Sequence, residues 1–120
     1  MRVVNILPAV ALLPSAFGQL HKLTAAKGKY FGTATDNKNL VDAAYKDILL
    51  DGDEFGQITP SNLQKWQYSE PTPGNFNFTG GDEIADLAEE NGLIFRCHPL
   101  VWHSQAPDYS MRDVSNHKLY

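Results

Sequence analysis

The sequence predicts an α/β fold built from consecutive parallel strand–helix units. Three observations lead there. Short runs of aromatic and β-branched residues alternate with segments whose apolar residues recur at the helical period, as at Leu40, Ala43, Ala44, Ile48 and Leu49. Each strand–helix pair occupies roughly thirty residues, the length of a crossover that returns to a parallel neighbour. Residues able to hydrogen-bond and stack gather just after the second and third strands, where the loops of a parallel sheet converge on one face.

The first strand is expected over residues 29–35, where Tyr30, Phe31 and Thr33 suit a pleated surface and Asp36, Asn37 and Lys38 follow as a polar turn. A helix should run over 39–51, with Asn39 as its cap and Gly52 just past its end. Residues 55–59 form the second strand, which Pro60 stops because it has no N–H for the ladder. The polar stretch 61–77, with Pro71, Pro73 and Gly74, reads as a loop, and loops that long in a compact domain are usually functional. A helix over 82–91 places Ile84, Leu87 and Ala88 on one side, has acidic residues at its start and stops at Asn91-Gly92. Residues 93–98 are the third strand. A closed barrel and an open doubly wound sheet both satisfy this order. No Gly-rich phosphate loop follows the first strand, which disfavours a nucleotide-binding version.

Hydrophobic residues make up 42% and charged residues 20% of the 120 positions, which fits a globular protein and excludes a disordered tail or a collagen-like polymer. The formal net charge of −4 offers no basic surface to phosphates, so nucleic acid is excluded as a partner. Residues 1–18 have the layout of a secretory signal peptide: Arg2, an apolar run through Leu13, small residues at Ala16 and Gly18, and Gln19 as first mature residue. Asn5, Pro8 and Pro14 interrupt that run, which is shorter than the roughly 20 residues a membrane span needs. The mature chain, 19–120, is therefore expected outside the cell and not in a membrane. Asn77-Phe78-Thr79 fits the N-glycosylation pattern and agrees with secretion. Cys97 is the one cysteine and has no intramolecular partner here; pairing with a cysteine further along a complete protein and a small buried residue at a strand end are the two readings.

The loop after the second strand carries Asn62, Lys65 and Trp66, a mixture that suits a sugar: amide and ammonium bond hydroxyls, and an indole covers a C–H face. The alternative makes Trp66 a core anchor under the loop and Lys65 a solvated cation. After the third strand come His98, Trp102, His103 and Gln105. His98 and His103, five apart in an extended segment without a carboxylate or cysteine cluster, are a poor zinc pair, so no metal or other cofactor is expected. No serine or cysteine sits in a nucleophile motif beside them.

In combination these blocks are specific. Asn62-x-x-Lys65-Trp66, then 70–78 from Glu70-Pro71 to Phe76-Asn77-Phe78, then Arg96-x-His98-x-Leu100-Val101-Trp102-His103-x-Gln105-x-Pro107 resemble glycoside hydrolase family 10, the endo-xylanases, in order and spacing. The resemblance begins at Phe31-Gly32 and covers nearly all of the chain after the leader. It implies that the chain holds the first three βα units of a (β/α)8 TIM barrel, incomplete here, from a secreted endo-1,4-beta-xylanase that cleaves xylan with retention. By the same resemblance Asn62 and Lys65 would bond the xylose one unit from the cleaved one, while His98, Trp102 and Gln105 would line the pocket of the attacked sugar, supported by His103. The partner it implies is xylan or a xylo-oligosaccharide. This chain departs from the family at Ser61, where Glu is usual, at Cys97 and Pro99, where Gly and Thr are usual, and near Tyr109, where Trp is usual.

A retaining glycosidase needs two carboxylates roughly 5 Å apart across the scissile bond. In this family both are glutamates at later strand ends, beyond residue 120, and Glu54, Glu70, Asp82, Glu83, Glu89 and Glu90 fall before strands, in loops or on outer helices. No catalytic residue is assigned within the chain, and alone it is expected to be inactive. A non-catalytic xylan-binding remnant and a half-barrel interaction protein are the other readings.

Overall fold

Three parallel strands stand in the order β1 (Gly32–Thr35), β2 (Gln57–Pro60) and β3 (Ile94–Phe95) in a computed structural model that describes residues 18–111. The proposed leader, apart from Gly18, and residues 112–120 of the proposed domain lie outside the described residues. Between the strands run a 3-10 turn at Asn37–Val41 and helices α2 (Ala43–Leu49), α3 (Trp66–Ser69) and α4 (Thr79–Glu90). α1 (Leu20–Ala25) precedes the sheet and α5 (Asp108–Met111) follows it. The α/β class and the parallel order agree with the strand–helix rhythm of the sequence.

Register decides which side chains meet. Thr33 pairs with Ile58 and Ile58 with Phe95, so these three share the helix-facing side of the sheet. Ile58 and Ile84 are fully buried there with Leu49 and Ala88, and Leu40, Tyr45, Leu87, Leu93 and Phe95 pack around them. The Tyr45 hydroxyl donates to Thr35 Oγ1 at 2.9 Å, tying α2 to the end of β1. The other side carries Gly32, Ala34, Gln57, Thr59 and Ile94; Ala34 is exposed and Ile94 retains 49% of its accessible surface.

Several boundaries differ from the sequence expectation. The helix expected over 39–51 is split, because Asp42 adopts an extended conformation (φ −86°, ψ 111°) and its carboxylate accepts the Tyr45 amide at 3.2 Å. Asp42 therefore caps α2, and Asn39 lies inside the preceding 3-10 turn. Pro60 belongs to β2 opposite Thr35, because the bond to the Thr35 carbonyl comes from Ser61 N, at 2.7 Å, and no N–H is needed from residue 60. β3 is two residues long instead of six: Arg96 N makes a bond to Ile58 O at 3.0 Å, after which the amide of His98 turns to the side chain of Gln64 at 2.9 Å. α4 begins at Thr79, three residues before the expected 82, where Asn77 Oδ1 accepts the Thr79 amide at 3.1 Å. Gly80 sits in its first turn because a Cβ there would run into the Leu63 side chain. The loop 61–77 holds α3, and Gly74 takes φ 76° in the turn after it.

Candidate functional site

The strands are parallel, so Asp36 after β1, Ser61 and Asn62 after β2, and Arg96 after β3 all emerge at one edge of the sheet. Lys65, which precedes α3, reaches back across that edge. Only 7% exposed, its ammonium donates to Asn62 Oδ1 at 3.1 Å and to Gln105 Oε1, and lies 4.4 Å from the centroid of the Trp102 ring. Gln105 Nε2 donates to the same Asn62 oxygen at 3.3 Å, and Asn62 Nδ2 donates to the carboxylate of Asp36. Four of the sequence-predicted residues, Asn62, Lys65, Trp102 and Gln105, thus form one cluster.

The reading of Lys65 as a solvated cation is overturned by this burial. Its ammonium has two amide oxygens and one aromatic face around it. Trp102 retains 40% of its surface, and His103, exposed, meets it edge-on with centroids 5.7 Å apart.

His98 stands apart from this cluster. It is exposed, and with Gln64, Trp66, Glu70, Phe76 and Phe78 it lines a cavity of about 280 Å³. Trp66 is an anchor: its indole N–H donates to Glu70 Oε2 at 2.9 Å and its ring meets Tyr109 at 6.0 Å and 89°. The Gly74 amide donates to Glu70 Oε1 at 2.8 Å. That bond first, then those from Trp66 and Tyr109, hold the Glu70 carboxyl below its ordinary value of 4.5. Burial chiefly, and then the bond to Glu70, raise the Tyr109 phenol above its ordinary 10.0. Cys97 is exposed, not buried as expected for a strand end, because β3 stops at Phe95; its sulfur lies 3.6 Å from Gln64 Nε2. Asn77 is exposed, with its oxygen committed to the start of α4.

Sequence reasoning missed Asp36, Gln64 and the structural work of Glu70. Asp36 directly follows a strand, and the rule that chemistry collects at such ends would have flagged it. Gln64 and Glu70 act through partners more than thirty residues away or within a turn of unforeseen shape, and left no local sign. Among the described residues, no group of three His, Cys, Asp or Glu side chains could hold a metal ion.

The sequence profile described as Glycosyl hydrolase family 10 matches residues 19–119. The chain belongs to that family. It is 54% identical over 97 residues to endo-1,4-beta-xylanase C of Phanerodontia chrysosporium, an alignment covering 80% of this chain and 24% of that one. With endo-1,4-beta-xylanase D of Talaromyces funiculosus the identity is 48% over 108 residues, covering 89% and 26%. The chain thus spans about a quarter of the length of these family 10 relatives. Among solved structures, the family 10 xylanase from Bispora sp. MEY-1 with xylobiose superposes with a TM-score of 0.72 at 33% identity, covering 84% of this chain and 30% of that one. An endo-1,4-beta-xylanase of Penicillium canescens gives 0.70 at 43% identity, covering 77% and 28%.

Proposed function

We propose that this chain is the substrate-holding front portion of an endo-1,4-beta-xylanase, three βα units of a (β/α)8 barrel, and that its Lys65 cluster grips xylan. The observation that carries the reading is the buried ammonium of Lys65 held at the C-terminal strand edge by Asn62, Gln105 and Trp102. A polar group kept dry and oriented in this way binds hydroxyls with little further ordering. In this reading Asn62 and Lys65 hold the xylose beside the cleaved one, His98, Trp102 and Gln105 face the attacked sugar, and His103 supports Trp102. Secretion after residue 18 and a glycan on exposed Asn77 belong to the same reading, as does a partner set limited to xylan and its oligosaccharides.

No acid, base or nucleophile is assigned in these residues. Among the acidic groups, Glu54 accepts the Gln19 amide, Glu83 accepts Asn37, Glu70 holds Trp66, and Asp36 is bonded to Asn62. None is aimed across a site as half of a glycosidase pair. Two measurements separate the hypotheses. Reducing-sugar release from xylan is expected from the full-length protein and not from the 19–120 polypeptide; release from neither leaves the binding remnant and the interaction protein. Xylo-oligosaccharide titration followed by tryptophan fluorescence is expected to saturate, because a hydroxyl reaching Lys65 disturbs Trp102; a flat titration removes the sugar-binding reading and leaves an interaction surface.

A further inference from the structure

We propose that Glu70 is a positioning residue for the Lys65 cluster: by gripping the Trp66 indole and the Gly74 amide it sets α3 against the segment carrying Gln105, and so sets the meeting of Lys65 with Gln105. The inference rests on the reading of that cluster as a sugar site.

The contacts form a continuous chain. Both Glu70 carboxylate oxygens are engaged, Oε2 by Trp66 Nε1 at 2.9 Å and Oε1 by Gly74 N at 2.8 Å. The indole so held meets the Tyr109 ring of α5 edge-on, and the Tyr109 hydroxyl returns to the Glu70 carbonyl at 3.4 Å. Beside this pair of rings, Gln67 N of α3 donates to the Gln105 carbonyl at 3.2 Å. Lys65 is the residue immediately before Trp66, and Gln105 leads into the turn that carries Tyr109. Of the two side chains that meet in the site, Lys65 thus adjoins the Trp66 ring in the chain and Gln105 stands four residues before the Tyr109 ring that packs on it. A carboxylate suits the task because both its oxygens accept; an amide would turn an N–H toward one of the two donors.

The test is calorimetric titration with xylo-oligosaccharide of the full-length protein and its Glu70→Gln, Trp66→Phe and Lys65→Ala variants, and of each of the first two combined with Lys65→Ala. Glu70→Gln and Trp66→Phe are each expected to weaken binding roughly five- to tenfold, the worth of one or two hydrogen bonds. Neither is expected to weaken it further once Lys65 is alanine, because the effect passes through Lys65. Unchanged affinity, or an equal loss in both backgrounds, overturns the proposal. If Glu70→Gln does not fold, Trp66→Phe in the same two backgrounds decides. If the unsubstituted protein does not bind the sugar, the functional reading falls by itself, and a crystal structure of the Glu70→Gln variant settles the positioning role: Lys65 parted from Gln105 supports it, and the pair intact overturns it.

Discussion

Lys65 carries a charge into the protein without a carboxylate against it. Its neutral partners, Asn62, Gln105 and the Trp102 ring, offset the lost hydration, and Asp36 acts one step removed by polarising Asn62. Truncation leaves the Gln105 amide oxygen without its donor as well as removing the cation. Lys65→Met is therefore expected to weaken xylo-oligosaccharide binding by about 1.5–3 kcal/mol, at least tenfold, read by calorimetric titration. Glu70 gives a pH signature. Its folded carboxyl lies below the ordinary 4.5, so the bonds to Trp66 and Gly74 are complete above that value and are lost only as pH falls through the lower folded one. Trp66 emission in the full-length protein is expected to stay constant down to the ordinary range and change below it, and Glu70→Gln is expected to abolish that change. The amino-acid string marked Asn62, Lys65, Trp102 and Gln105 by chemistry and spacing. It could not tell whether Lys65 was buried, since burial depends on Gln105, forty residues away.

At the scale of elements, local rules located the three strands and the two longer helices among the described residues and misjudged their ends. α2 is the clearest case. The apolar period runs on through Leu40, but the Asp42 carboxylate offers the Tyr45 amide a partner outside the helix and starts it afresh. Asp42→Ala is expected to lower the unfolding free energy of the full-length protein by about 1 kcal/mol, measured by denaturant titration, and Asp42→Asn by much less. β3 ends early for a tertiary reason, since the Gln64 side chain takes the His98 amide that would carry the ladder on past Ile58. Short α3 was not foreseen within the 61–77 loop, because its four residues are held by Ser69, Glu70 and Gln105 and not by an apolar stripe.

Among the described residues, apolar burial is one-sided. The helix-facing side of the sheet holds the core of Leu49, Ile58, Ile84 and Ala88, whereas Ile94 on the other side, Val101 and Leu100 retain 49%, 69% and 90% of their surface. β1 and β3 are each paired on one edge only among the described residues. Open edges and uncovered apolar surface favour association with other chains. The separate 19–120 polypeptide is accordingly expected to aggregate, or to show poorly dispersed NMR signals and no cooperative calorimetric transition; a sharp transition with dispersed signals would contradict this. What the sequence determined alone was the order and parallel sense of the βα units and the family, because periodicity, turn chemistry and residue type are properties of short stretches. Only the tertiary structure decided that Lys65 is buried among Asn62, Gln105 and Trp102, that His98 faces a different cavity, and that Glu70 ties α3 to Tyr109. Those outcomes depend on which distant segments the sheet register and the loops bring within bonding distance, and no short stretch encodes that by itself.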